Sequence, residues 1–125
     1  MSSCIASNPA DTAQRPRVLL VDADQTHAER VRELLHLCAL EADVCPGHED
    51  AFVRLQQASS DFELVILNVS NDSLPWCTIL AKLQAACLQS GVYPSPFFLC
   101  ISSTRRPSEF ELRIERLGAR YVHEG

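Results

Sequence analysis

The segment RVLLVDAD, residues 17–24, sets the architecture of this chain. Four apolar residues, Val18 to Val21, are followed at once by acids, a pattern typical of a buried strand in a parallel sheet. Thr26 and Glu29 then fit a T-x-x-E capping box, which predicts the start of a helix over residues 26–38. Spacing of 3.6 residues places one apolar stripe on the inner face of that helix. The stripe contains Ala28, Val31, Leu34, Leu35 and Cys38.

The same strand-then-helix alternation continues to the end of the chain. The most apolar of the later strands is the third, FELVILNV, which we therefore expect near the centre of the sheet. The order βαβαβαβαβ predicts an α/β domain with a parallel sheet covered on both faces through right-handed crossovers. Further strands are predicted at 41–45, 62–69, 96–102 and 119–124, and further helices at 48–58, 75–89 and 106–118.

Composition limits the classes of function. A chain of 125 residues fits one domain. The net charge of −5 argues against binding to nucleic acids or anionic membranes, and no apolar run reaches the roughly 18–20 residues that span a bilayer. Residues 1–16 resemble a disordered leader without a secretory signal, so we expect a cytoplasmic domain over 17–125.

Six cysteines are present without C-x-x-C pairs or zinc-site spacing. Five of them lie in apolar segments, so we expect free, buried thiols in a reducing cytoplasm, with a disulfide or redox role as the alternative. His27, His36 and His48 fall on or beside predicted helices and are expected at the surface, while His123 is expected to be structural.

Polar residues cluster where the predicted strands end, which is where parallel sheets carry their functional sites. The chain has no G-x-G-x-x-G motif and no Walker loop, so nucleotide binding has no motif to support it. The loop DADQTH also lacks a glycine for a phosphate-binding turn, which disfavours an enzyme of flavodoxin-like fold. The strand-end residues are Asp22, Ala23 and Asp24; Asn68 and Val69; Ser102 and Ser103; and His123 and Glu124.

These segments together resemble the receiver domain of two-component response regulators. The resemblance covers residues 17–125 and rests on RVLLVDAD with its capped helix, FELVILN, PFFLCISS and LGARYVHEG. It implies a flavodoxin-like (CheY-like), doubly wound, five-stranded parallel sheet in the order 2-1-3-4-5. Receivers usually carry a fifth helix after the fifth strand, and this chain lacks it. We therefore expect this chain to be the N-terminal part of a longer protein, with a partner or second copy on the open face as the alternative.

The resemblance also implies that the phospho-acceptor pocket is degenerate. Asp22 matches the first acid of the family's acidic pair, but Ala23 replaces the second acid, the more direct magnesium ligand. Asn68 stands at the phospho-acceptor position, Ser102 matches the following Ser/Thr, and Glu124 replaces the lysine. An amide is no nucleophile at neutral pH, magnesium prefers carboxylate oxygens, and a glutamate repels a phosphoryl group. We expect no cofactor, with Mg²⁺ binding lost or weak.

The expected function is a phosphorylation-independent receiver that acts as a signalling and protein-interaction module, not an enzyme. The resemblance places the working surface, and a homodimer contact, on the fourth helix and fifth strand, with Arg113, Arg116, Arg120 and Tyr121. Ser102 and Tyr121 could retain a two-state switch driven by a partner. Two alternatives stay open: a ligand sensor binding a small molecule at the strand ends, and a conventional phospho-accepting receiver. Asp24 and Asp72 are substitute acceptors.

Overall fold

Five strands and four helices alternate along the chain in a computed structural model that describes residues 17–89 and 95–124. A single turn of 3₁₀ helix, Ser59–Asp61, precedes the third strand. The strands are β1 (Arg17–Val21), β2 (Glu41–Cys45), β3 (Leu64–Asn68), β4 (Phe97–Ser102) and β5 (Arg120–His123). The helices are α1 (Gln25–Leu37), α2 (His48–Ala58), α3 (Trp76–Gln89) and α4 (Ser108–Arg116).

The strands form one parallel sheet in the order β2-β1-β3-β4-β5, which confirms the predicted fold. The central strand is β3, as its apolar sequence predicted: Leu67 lies between Val21 of β1 and Cys100 of β4. Val65, Ile66 and Leu67 are all buried because helices cover both faces of β3. All strands run the same way, so their carboxyl ends meet at one edge.

The two faces of the sheet are covered unequally. Helices α2, α3 and α4 pack on one face around a large apolar cluster that includes Leu55, Leu80 and Ile114. Helix α1 packs on the other face, where Ala28 contacts a smaller cluster containing Leu20. Each of these three helices contributes buried apolar residues to the large cluster: Ala51 and Leu55 from α2, Ile79, Leu80 and Leu83 from α3, and Ile114 from α4.

The α1 face stays open beside β4 and β5. Alternation along a strand turns Phe98 toward the α2–α4 face and Phe97 toward the α1 face, where Phe97 is 78% exposed. Val122 of β5 and Leu34 of α1 are also exposed. Among the described residues, α1 is the one helix on this face, and an exposed apolar patch lies where the resemblance implies a fifth helix.

The start of α1 differs from the prediction. Asp24, not Thr26, is the N-cap: its backbone is extended and its carboxylate accepts a hydrogen bond from the backbone N–H of His27 at 3.1 Å. Aspartate is at least as good a cap as threonine, and it comes directly after the strand end, so the capping box prediction was wrong.

The predicted inner stripe of α1 was too wide. Ala28, Val31 and Leu35 contact the small apolar cluster, but Leu34 is 58% exposed and Cys38 is exposed. A helix alone on a sheet face buries only a narrow line of side chains, and Leu34 lies beside that line.

The prediction of buried thiols was wrong for Cys38, which is exposed at the end of α1, and for Cys77, which is only partly buried; Cys4 lies outside the described residues. Cys45, Cys87 and Cys100 are buried, and burial raises the pKa of Cys87 to about 11 and that of Cys100 to about 12. Thiols held in the neutral form are poor nucleophiles, so these side chains act as small core residues. Within residues 17–89 and 95–124, no helix is long and apolar enough to cross a membrane.

Candidate functional site

Four strand ends bring the sequence-predicted residues to the carboxyl edge of the sheet. Asp22 follows β1, and its backbone N–H donates to the carbonyl of Cys45 at 2.9 Å. Glu124 follows β5, and its N–H donates to the carbonyl of Ser102 at 2.8 Å. Asn68 is the last residue of the central strand. The backbone hydrogen bonds of the sheet therefore fix the positions of the Cα atoms that carry these side chains.

The carboxylate of Asp22 is buried and uses both oxygens inside the protein. Asp22 is 3% exposed. Its Oδ1 accepts hydrogen bonds from the backbone N–H of Asp24 and from Nδ2 of Asn68, each at 2.9 Å. Its Oδ2 lies 2.5 Å from Nδ1 of His27. Such a buried charge is stable only when it is paired and hydrogen-bonded, and here three donors satisfy it.

The amide of Asn68 has a fixed orientation. Its Oδ1 accepts from the N–H of Ser70 at 3.1 Å and from the hydroxyl of Ser70 at 2.6 Å. The amide nitrogen must then face Asp22, to which it donates. Because that nitrogen has no free lone pair, the end of β3 presents a donor to the pocket, not a ligand oxygen.

His27 connects two acids that are far apart in sequence. Its Nδ1 faces Asp22, its Nε2 lies 2.8 Å from Oε1 of Glu124, and its side chain is only 13% exposed. Both ring nitrogens face acceptors, so both bonds form only when the imidazole is doubly protonated. Burial alone would lower the pKa of His27, but the hydrogen bonds and charges of Asp22 and Glu124 outweigh it and raise that pKa above 6.5.

The prediction that His27 is a surface residue was therefore wrong. One signal could have located it: His27 lies in the first turn of the helix that follows Asp22, so it projects toward the functional edge of the sheet. Its second partner, Glu124, is 97 residues away, and nothing local in the sequence indicates that contact.

Ser102 is fully buried, and its hydroxyl is used within its own loop. The hydroxyl donates to the carbonyl of Thr104 at 2.5 Å and accepts from the N–H of Thr104 at 3.2 Å. The loops after β3 and β4 are joined instead by Ser103, whose N–H donates to Oγ of Ser70 at 2.9 Å. The hydroxyl of Thr104 also donates to the carbonyl of Ser70 at 3.3 Å, so Ser70, which the sequence interpretation missed, connects its own loop to the loop after β4.

Tyr121 packs inward from β5. Its ring meets Phe110 of α4 edge-on, with centroids 5.9 Å apart, and its buried hydroxyl has no hydrogen-bond partner among the described residues. Arg106 lies over the other ring, 4.0 Å from the centroid of Phe110, and donates to the carbonyl of Val69 at 2.7 Å. Arg106 thus ties the loop after β3 to α4, a role that the sequence interpretation missed.

The arginines assigned to the interaction surface do not form one patch. Arg113 and Arg116 are exposed on α4 beside Leu112, which is 51% exposed. Arg120 is also exposed, but it precedes Tyr121 on β5 and therefore points to the opposite face of the sheet.

A small pocket of about 220 Å³ opens next to Asp22 and Asn68. Ala23, His48 and Trp76 contribute to its wall, and the indole N–H of Trp76 donates to the carbonyl of Asn71. Among the described residues, no group of three or more His, Cys, Asp or Glu is arranged to hold a metal ion.

No protein-family model matches the sequence, and no curated protein is similar enough to match it. Solved structures do match. The chemotaxis protein CheY4 of Vibrio cholerae is 20% identical, with a TM-score of 0.64 over 87% of this chain and 86% of that one. An orphan response regulator of H. pylori is 20% identical, with a TM-score of 0.67 over 87% and 82%. The signal receiver domain of an HD domain-containing protein from Pseudomonas fluorescens is 23% identical, with a TM-score of 0.65 over 89% and 83%. At these identities the likeness is one of fold: this chain has the fold of response regulator receivers.

Proposed function

We propose that this chain is a phosphorylation-independent, receiver-like domain. It acts as a regulatory protein-interaction module, not an enzyme, and controls an attached output domain or a separate protein partner. The observation that carries the proposal is the closed hydrogen-bond network of Asp22, Asn68, His27 and Glu124 at the edge where receivers accept a phosphoryl group.

The first support for this proposal is Asn68, which stands at the phospho-acceptor position. Phosphoryl transfer to a side chain needs a nucleophilic oxygen, and Asn68 directs its amide nitrogen into the network while Ser70 holds its oxygen. The substitute acceptors are poorly placed. Asp24 caps α1, and Asp72 is exposed in the loop after β3.

The residues present do not fit a magnesium ion. Magnesium requires near-octahedral oxygen coordination. Ala23 offers no side-chain oxygen, and both oxygens of Asp22 already accept hydrogen bonds from within the chain. The carboxylate of Glu124 lies where the resemblance implies a lysine, so the charge that would meet a phosphoryl group is reversed. We therefore assign no cofactor to the domain.

The surface of α4 supports the proposed interaction with a partner. Arg113 and Arg116 lie beside the exposed Leu112, on a helix that also carries Glu109, Glu111 and Glu115. This mixed-charge surface with an exposed apolar side chain suits a protein partner or a second copy of this chain. Tyr121 and Phe110 connect this helix to the functional edge through Arg106. Binding at α4 could thus favour one packing of Tyr121 over another without phosphate.

Acetyl phosphate with Mg²⁺ tests the proposal directly. After incubation, intact-mass spectrometry should find no phosphoryl adduct on this chain, while a phosphorylatable receiver treated in the same way acquires one. Size-exclusion chromatography should show the same elution volume before and after treatment. An adduct on the native chain, or a phosphate-dependent change in elution, would refute phosphorylation independence; Asp24→Asn and Asp72→Asn would then locate the acceptor.

The ligand-sensor alternative has weaker support. The pocket beside Asn68 holds about 220 Å³, below the roughly 300–1,000 Å³ that ligand sites usually offer. Its polar groups are largely paired with one another, so few remain to orient a ligand.

A further inference from the structure

We infer that His27 is an internal counter-ion that occupies the position a divalent cation would need beside Asp22. The loss of carboxylates at Ala23 and Asn68 weakens a cation site, but it leaves Asp22 buried and charged. His27 neutralises that charge from within the chain. The proposed function needs only that magnesium does not bind; the present inference names the side chain that takes its place.

The first support is the geometry of Asp22. Its Oδ1 is held by Asp24 and Asn68, so Oδ2 is the one oxygen left for a cation, and His27 Nδ1 lies 2.5 Å from it. The imidazole lies between Oδ2 of Asp22 and Oε1 of Glu124, so a cation that bridged these two carboxylates, at about 2.0–2.1 Å from each oxygen for magnesium, would overlap the ring. Cation binding between the two carboxylates therefore requires His27 to leave.

The second support is that His27 is held in place from its other side. Glu124 accepts from Nε2 at 2.8 Å, and the side chain of His27 is 13% exposed, so the ring has little room to rotate away. Asn68 Nδ2 lies 3.4 Å from Nδ1 and closes the remaining side. The charged groups described against the ring are thus Asp22, which follows β1, and Glu124, which follows β5, while Asn68 at the end of β3 is neutral.

Glu124, which stands where the resemblance implies a lysine, has a structural role in this arrangement. A carboxylate at residue 124 would weaken a phosphate site, but here it is the second acceptor of the imidazole. A lysine there would place an ammonium against the protonated ring, and the two cations would repel. Exchange of Glu124 would therefore remove the acceptor at Nε2 and leave His27 with Asp22 alone.

Manganese binding tests the inference, with Mn²⁺ as the probe and paramagnetic broadening of backbone amides as the readout. In the native chain, Mn²⁺ should leave the amides of Asp22 and Asp24 sharp. In His27→Ala they should broaden selectively, because Oδ2 is then free. His36→Ala is the matched control: His36 lies on the same helix, its side chain is 68% exposed, and its removal should change nothing. Equal broadening in the native chain and in His27→Ala would overturn the inference.

A second pair of variants keeps the test decisive if the single variant folds poorly. Ala23→Asp with Asn68→Asp restores carboxylates while His27 remains. Addition of His27→Ala to this pair should raise Mn²⁺ affinity by about 10–100-fold, the factor that corresponds to a charge-assisted hydrogen bond that the cation no longer has to displace. Circular dichroism would establish that both forms are folded. If both bind Mn²⁺ equally well, His27 does not exclude the cation and the inference fails.

Discussion

Removal of His27 should destabilise the domain, and most of the loss should come from Asp22. In His27→Ala, the buried carboxylate keeps two donors but loses the one at Oδ2. Breaking a buried ion pair from one side usually costs about 3–5 kcal/mol. The cost here should be lower because water can reach the space that the imidazole leaves.

The ion pair with Glu124 adds a smaller contribution to the unfolding free energy. Glu124 is 36% exposed, so this pair should contribute about 0–1 kcal/mol, as a surface ion pair does. We expect a loss of about 2–3 kcal/mol near pH 6, within the range for a charge-assisted hydrogen bond plus a surface pair.

The loss of unfolding free energy in His27→Ala should also depend on pH. The pKa of His27 is raised in the folded state, so its stabilisation is fully present below the unfolded value of 6.5 and disappears as pH rises through the folded pKa. The native chain should therefore lose unfolding free energy as pH rises above about 6.5, and His27→Ala should show less of this decline.

Urea denaturation followed by circular dichroism measures both effects, with His36→Ala as the control on the same helix. An unfolding free energy for His27→Ala that equals that of the control at every pH would refute the ion-pair argument. Asp22→Asn in a double-mutant cycle with His27→Ala should show a coupling of about 0.5–3 kcal/mol, the range for residues in direct contact.

Three further outcomes follow from the described contacts. Tyr121→Phe should leave stability unchanged or raise it by up to about 1 kcal/mol in thermal denaturation, because it removes a buried hydroxyl without a described partner; a loss above 1 kcal/mol would mean that the hydroxyl is paired. Asp24→Ala should cost about 1 kcal/mol in urea denaturation because it removes the N-cap of α1, and an unchanged midpoint would contradict that role. A thiol reagent should modify Cys38 in the folded chain much faster than Cys87 or Cys100, since Cys38 is exposed and burial raises the pKa of the other two; comparable rates would count against this burial.

Local sequence patterns predicted most of the fold. The apolar run of β3 placed it in the centre of the sheet, and 3.6-residue spacing identified Ala28, Val31 and Leu35 on the inner side of α1, because burial is set largely by neighbours along the same element. Strand order came only from the resemblance, since alternation alone does not determine which strands pair. The errors lie where local signals compete: Asp24 and Thr26 can both cap a helix, and the backbone after β1 favours Asp24.

The network at the sheet edge was harder to predict. The sequence placed Asp22, Asn68 and Glu124 at strand ends, and the structure brings all three into one network. The residue that joins them, His27, was not identified because its role depends on a side-chain direction and on a partner 97 residues away. Ser102 shows the reverse case: its position was predicted, but its hydroxyl bonds to its own loop.

The most direct test of the account is a titration of the native chain with Mg²⁺ and beryllofluoride, followed by ¹H–¹⁵N NMR. Beryllofluoride mimics a phosphoryl group only where an acceptor carboxylate and a bound cation are both present. Because Asn68 supplies no carboxylate and His27 holds Asp22, the account predicts no saturable shift at Asp22, Asn68 or Ser102. Saturable shifts at these amides would contradict it.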